Sequence, residues 1–268
     1  WGVMLAVGAA IGGVFASAFG RDAAFIANGV SFALAAILFS RIKTPMQKDR
    51  NVETQRQRIR PIADMREALT HSRKDPVLMA LIFSKTTFAI GAGVVSQLAV
   101  LASDVFNGGD AARGLLIGVR GVGTGLGPLI AMRYTRGQLS KVLTICGFAS
   151  LAFSGFYFIG AWMPTLWLTA IFVMLAHLGG GAQWTLSSYG LQLRSPDHIR
   201  GRILAGDFAL VTLMLSLTSA LAGLVSEYFG VRQAISGFAC AAAIASVMYI
   251  RATKRLRTQL LIQLDAEP

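Results

Sequence analysis

Acid and cysteine are the scarce components of this 268-residue chain. Only 13 residues are Asp or Glu against 25 Lys and Arg, and charged residues of both signs total 14%, where an ordinary soluble domain carries about 25%. The two cysteines, Cys146 and Cys240, each sit inside an apolar stretch. They read as small core residues, and their number excludes a disulfide framework or a cysteine-rich metal site. The three histidines have no metal-ligand spacing with any cysteine or acid. No glycine-rich string ending in Lys-Ser or Lys-Thr is present, so the chain does not itself draw on ATP. No nucleophile–base set can be placed at one level of the chain. These absences remove the enzyme, metal and cofactor classes from the reading.

What is present is hydrophobic length. The chain is 54% hydrophobic with a mean hydropathy of +0.58. Apolar runs cover 1–19, 23–39, 77–101, 114–132, 142–163, 166–189, 203–225 and 234–250. Each is about the 17–25 residues that a helix needs to cross roughly 30 Å of hydrocarbon at about 1.5 Å per residue. The sequence therefore predicts an all-α membrane protein with eight transmembrane helices. Twenty of the 25 Lys and Arg residues fall in alternate gaps, at Arg41 through Lys74, at Arg133, Arg136 and Lys141, at Arg194, Arg200 and Arg202, and in the tail from Arg251 to Arg257. The intervening gaps hold only Arg21, Arg113 and Arg232. The positive-inside rule then places the basic gaps and the C-terminus in the cytoplasm. The same asymmetry accounts for the net charge of +12, so nucleic acid is not expected as a partner. Trp162 and Trp167 bracket the turn at Pro164, as interfacial aromatics do.

The organisation follows from the loops. Residues 1–40 hold two spans, 41–75 form a long basic loop, 76–251 hold six spans, and 252–268 form a tail. Within the loop, 44–61 reads as a flexible linker. Residues 62–73 place Ile62, Met65 and Leu69 on one stripe opposite Arg66, Arg73 and Lys74, the pattern of a short amphipathic helix held against anionic lipid at the membrane surface. The chain opens at Trp1 inside an apolar run, and the expectation is a protein whose preceding helices are missing from this chain.

Charge inside the apolar runs points to function. A mid-helix Lys, Arg or Asp costs about 2.5–3.5 kcal/mol on insertion scales, so such groups face a cavity or one another. Three qualify: Lys85, Arg120 and Asp207. Asp207 is the one acid in these runs. Counted from the edge of its run it is shallow, about 7 Å deep, against about 13 Å for Lys85. Asp207 is open to two readings, a titrating carboxylate or a structural ion pair with a basic residue such as Arg202. Lys85 either holds an anionic group, pairs with Asp207, or extends its ammonium to the surface. His177, Gly181, Trp184 and Ser188 form a stripe at helical spacing, with Gln183 beside them, and Gly179–Gly181 offer a bend. Gly114, Gly118, Gly121 and Gly125, the pair Gly123 and Gly127, and Gly8 with Gly12 recur at spacings that let helices approach closely; Pro128 follows.

Several short motifs resemble those of one family. The string Gly8-Ala9-Ala10-Ile11-Gly12-Gly13 is similar to the GPxxGG motif in helix five of facilitator antiporters, with Ala9 in place of proline. Phe19-Gly20-Arg21-Asp22-Ala23-Ala24-Phe25 resembles the FGWRxxF turn before helix six. Pro196-Asp197-His198-Ile199-Arg200-Gly201-Arg202 matches a PDxxRGR loop between helices ten and eleven of bacterial exporters, including the enterobactin-exporter and macrolide-efflux branches. Met132-Arg133-Tyr134-Thr135-Arg136 resembles the DRxGR loop, with Met132 in place of aspartate. The chain is thereby identified as a member of the major facilitator superfamily over nearly its whole length.

The resemblance implies that the eight spans are helices five to twelve of a six-plus-six fold, with the two spans of 1–40 closing an N-terminal bundle whose earlier helices are the missing partner. It implies a secondary transporter working by alternating access, a proton-driven exporter of a small molecule in a bacterial inner membrane. Lys85, Ser96, Gln97, His177, Gln183 and Trp184 then become candidates for lining the substrate cavity, and Asp207 and Arg120 for coupling or ion pairing. Gly8, Gly12, Gly13, Gly121, Gly125 and Pro128 become an inter-bundle seam. Two alternatives stay open: a lipid-moving homologue, and a scaffold or sensor that keeps the fold without transporting.

Overall fold

The structure, a computed structural model, describes residues 2–43, 60–135 and 137–265. The linker expected over 44–61 falls almost wholly outside the described residues, as does Arg136. All regular structure among the described residues is helical. Two helices, α1 (Gly2–Phe19) and α2 (Arg21–Ser40), precede the loop. The amphipathic helix α3 (Pro61–Lys74) leads into α4 (Pro76–Ala92), which continues through a 3-10 stretch at Gly93–Gln97, the single turn α5 (Leu98–Val100) and a π stretch at Leu101–Val105. There follow α6 (Asp110–Thr135), α7 (Leu139–Ala161), α8 (Leu166–Arg194), α9 (Asp197–Phe229), α10 (Val231–Ala252) and the short α11 (Lys254–Asp265). Eight of these helical runs are long and apolar enough to cross a membrane, in the order that the hydrophobic pattern predicts.

Local chemistry sets the helix ends. Pro61 and Pro76 open α3 and α4 at positions where the missing N–H costs nothing. The Asp75 carboxylate caps α4, accepting from Val77 N at 2.8 Å and from Leu78 N. The turns before α2 and α10 are made by Gly20 and Gly230 at φ of 86° and 91°, a region in which a side chain is strained. The third span departs from expectation. It is one continuous 30-residue run from Pro76 to Val105, reaching four residues past the end of its apolar stretch, and it leaves α geometry twice, first for a 3-10 stretch and then for a π stretch. The departure begins at Gly93, where a Cβ would come within 2.4 Å of the Thr218 backbone, so α9 meets the chain at backbone distance there.

Helix α8 is the hub. It packs most extensively on α6 and α7, with α10 against α7 and α4 against α8, α9 and α10. Helix α1 packs along α6, while α2 packs on α1 and buries no residue. Two apolar cores stack along the helices. One, around Leu78, Leu81, Leu143 and Leu186, lies on the side where α3 sits. The other, around Leu98, Leu116, Phe153 and Val173, lies on the opposite side. Polar side chains occupy the level between them. Residues 252–268, expected as a plain tail, include α11, which folds back on α7: Ser140 Oγ donates to Arg257 O at 3.0 Å and Arg257 donates to Thr144 Oγ1 at 3.3 Å.

Candidate functional site

The central feature is a buried ion pair. Lys85 on α4 and Asp207 on α9 are each 4% exposed, and the Lys85 ammonium donates to Asp207 Oδ2. The ammonium also donates to Ser188 Oγ at 2.9 Å and sits 5.4 Å from the centroid of the Trp184 ring. Trp184 and Ser188 are four apart on α8 and so present one face. Phe88 and Phe208 stand edge-on to the Trp184 ring at 6.2 and 6.5 Å. Three helices thus converge on one cation and one carboxylate within an aromatic wall. The second carboxylate oxygen, Asp207 Oδ1, is buried with no hydrogen-bond partner among the described residues.

Asp207, shallow when counted from the edge of its apolar run, lies at the same level as Lys85. Helix α9 begins at Asp197, ten residues before Asp207, and Lys85 lies nine residues into α4. Both are therefore about 14–15 Å along their helices, and they meet at one level. Lys85 does not reach for the surface. Nor does Arg202 partner Asp207: it bonds Glu67 at 2.5 Å and Asp64 at 3.3 Å, both on α3.

A second polar cluster lies on α6, α7 and α8. His177, 2% exposed, bonds the Tyr157 hydroxyl through Nε2 at 2.8 Å and approaches Thr124 Oγ1 through Nδ1 at 3.4 Å. Arg120 is one turn before Thr124 on α6, and Thr124 Oγ1 donates to its carbonyl at 2.9 Å. The stripe expected on α8 is thus divided: Trp184 and Ser188 join Lys85, whereas His177 joins Tyr157.

Gln183 faces neither cluster. Fully buried, it donates through Nε2 to Ser84 O and to Thr87 Oγ1 at 3.2 Å. Thr87 and Ser150 hydroxyls lie 3.0 Å apart, and Ser246 Oγ donates to Ser150 Oγ at 2.8 Å. This ladder ties α4, α7, α8 and α10 together at the level between the two cores. Gln97 is buried and donates to Ser96 Oγ at 3.1 Å, while Ser96 itself is exposed and bonds Gly93 O. Sequence reasoning missed Tyr157, Thr124 and the Ser150–Ser246 link. The signal was present in α7, where Ser150, Ser154 and Tyr157 recur at helical spacing within an apolar run.

The glycines serve two contacts. Along α1, Gly13 approaches Gly114 and Gly2 approaches Gly125; a Cβ on Gly13 would lie 3.4 Å from Gly114 Cα. Gly8 and Gly12, expected in this seam, have open space where a Cβ would stand. On the other side of α6, a Cβ on Gly123 would fall 2.3 Å from Met174 O and one on Gly127 2.0 Å from Leu178 O, both on α8. Gly121 is buried and Pro128 half-buried within the unbroken α6. Gly179 and Gly181, expected to bend α8, instead admit the backbones of α7 and α6, and α8 runs without interruption.

Loop motifs sit at the helix ends. Pro196 caps α9, Asp197 pairs with Arg200 at 2.6 Å, and Arg200 also donates to Ser195 O at 3.0 Å. Gly201 faces open space, and Arg133 is exposed in the last turn of α6.

Eight apolar helical runs, six of them packed around buried polar clusters, define an all-α, polytopic membrane protein among the described residues. Residues 1–263 match the model of the transmembrane secretion effector family, a group within the major facilitator superfamily, and the chain belongs to that family. Membership makes it an integral membrane transporter of facilitator type. No curated protein and no solved structure matches the chain.

Proposed function

We propose that the chain is a proton-driven exporter of a small molecule working by alternating access, with the Lys85–Asp207 pair as its coupling site. The observation that carries this reading is the pair itself. In this scheme the Asp207 carboxylate, which bonds the Lys85 ammonium through one oxygen, has two states: ionised and paired, or protonated and released, with the ammonium then keeping Ser188 and the Trp184 ring. A proton reaching Asp207 frees the Lys85 ammonium beside Trp184 and Ser188, and α4 and α9 lose their charge contact while Thr218 Oγ1 still donates to Ala89 O at 3.0 Å. That exchange gives a two-state element which both proton and substrate bias.

Other features support the same plan. Residues 76–251 supply one six-helix bundle, and α1 and α2 act as the last two helices of the other. The backbone-level seam between α1 and α6 lets the bundles move against each other. The basic residues of 41–75 and of the tail hold both at the cytoplasmic face of a bacterial inner membrane. The same plan assigns His177, Arg120, Gln97 and Ser96 to the lining of the substrate path.

Trp184 supplies a direct readout. In the chain reconstituted into vesicles, its fluorescence follows the protonation of Asp207 as pH is lowered. The expected result is a pH-dependent emission change in the wild type that is lost in both Asp207→Asn and Trp184→Phe. An unchanged titration in Asp207→Asn overturns the assignment.

A further inference from the structure

On the side where α3 lies, a surface pocket of about 440 Å³ opens between α3 and the start of α9. Its wall includes Arg66, Glu67, Thr70, His71 and Lys74 of α3 and His198 of α9. We propose that it is a binding site for a phosphate group, filled in the membrane by the headgroup of an anionic phospholipid. The reading rests on neither the proton nor the export assignment.

Charge accounting around the pocket carries the inference. Every nearby carboxylate is already held by an arginine. Glu67 and Asp64 bond Arg202, Asp197 pairs with Arg200 at 2.6 Å, and Asp75 pairs with Arg194 at 2.6 Å. Arg66, Lys74, His71 and His198 have no carboxylate partner among the described residues, and all four border one concavity. Two permanent cations and two imidazoles therefore face a space whose one acid is neutralised from behind. A phosphate oxygen set accepts from guanidinium, ammonium and imidazole N–H alike. The first turn of α9, 33 residues long, adds the positive end of its dipole on the same wall at His198.

The location selects the source. Helix α3 is not a membrane span, yet it is anchored beside the starts of two that are, α4 at Pro76 and α9 at Asp197. Ala68 is buried, and Met65 lies against Gly206, where a Cβ would stand 3.1 Å from the sulfur. The helix is thus fixed at the boundary of the apolar layer, the level at which lipid phosphates lie.

The test uses the purified chain in detergent with Thr70→Cys as a reporter, in a Cys240→Ala background because Cys240 is exposed and Cys146 buried. The rate of maleimide labelling at position 70 is measured against added dioctanoyl phosphatidylglycerol, inorganic phosphate or dioctanoylglycerol. Phosphatidylglycerol is expected to slow labelling several-fold and saturably, with dioctanoylglycerol inert. Arg66→Gln with Lys74→Gln raises the half-protecting concentration roughly 30-fold, the sum of two basic residues acting near the surface. Protection by inorganic phosphate at equal concentration supports the phosphate site and assigns it to a free anion, whereas protection by the lipid alone assigns it to the headgroup. Equal protection by dioctanoylglycerol overturns the proposal, as does protection that survives in the double variant or a failure of all three probes to protect. Gel filtration of each variant confirms that folded protein is being labelled.

Discussion

Lys85 and Asp207 stand 122 positions apart in the chain and meet as a buried ion pair at one level of the bundle. Each alone is a costly insertion into an apolar helix. Together, with Ser188 and the Trp184 ring, they form the one charge pair among the described residues in which both partners are almost fully buried.

Removing either partner leaves a buried charge alone. Lys85→Met or Asp207→Leu is expected to cost roughly 3–5 kcal/mol of stability, whereas the double variant recovers most of it because an apolar pair fills the same space. Thermal unfolding of the purified variants in detergent checks this. Single variants as stable as the wild type would show that the pair is solvated.

Glycine contacts differ sharply along α6. Gly127→Leu places atoms onto the Leu178 backbone and is expected to exceed the roughly 1–3 kcal/mol of ordinary overpacking, with loss of folded protein. Gly125→Leu, at the α1 contact, impairs folding or transport more than Leu129→Ala. Gly8→Leu, facing open space, leaves the yield of folded protein unchanged. The yields are compared by fluorescence-detected gel filtration, and a harmless Gly127→Leu contradicts the packing.

Tyr157→Phe removes the hydroxyl that bonds His177 and leaves a buried ring nitrogen without it, at a cost of about 1–2 kcal/mol. Ser236→Ala, which removes the partner of the exposed Trp162 indole, costs far less. Equal melting shifts for the two would contradict the burial of the His177 cluster.

Orientation is read by cysteine labelling in intact cells. Cysteines placed at Gln55 and Thr258 stay unmodified by an impermeant reagent added outside, because basic loops are retained in the cytoplasm. Modification of either from outside reverses the topology.

The eight spans were legible because helix length and hydropathy are set by the membrane, which leaves little room for other readings. Lys85 and Asp207 were legible as charges out of place, and their pairing was one of several options. Their common level was not legible. Counting from the edge of an apolar run leaves out that α9 begins earlier, at Asp197, ten residues before Asp207. Glycine spacing showed that α1 has a close-packing stripe but not how the helix is rotated, so Gly8 and Gly12 were included with Gly13. The role of Tyr157 was hidden because a tyrosine within an apolar run reads as aromatic core until its hydroxyl partner, here His177 from another helix, is known.

In the proposed mechanism Asp207 couples proton movement to export. The most direct test of this coupling is proton flux in everted membrane vesicles that contain the chain. Respiration acidifies the lumen, a pH-sensitive dye reports the gradient, and small organic acids and amines are added in turn. A transported compound is expected to dissipate the gradient in wild-type vesicles, and Asp207→Asn, present at equal abundance, to abolish this response. Dissipation of equal rate and extent in Asp207→Asn vesicles would contradict the mechanism.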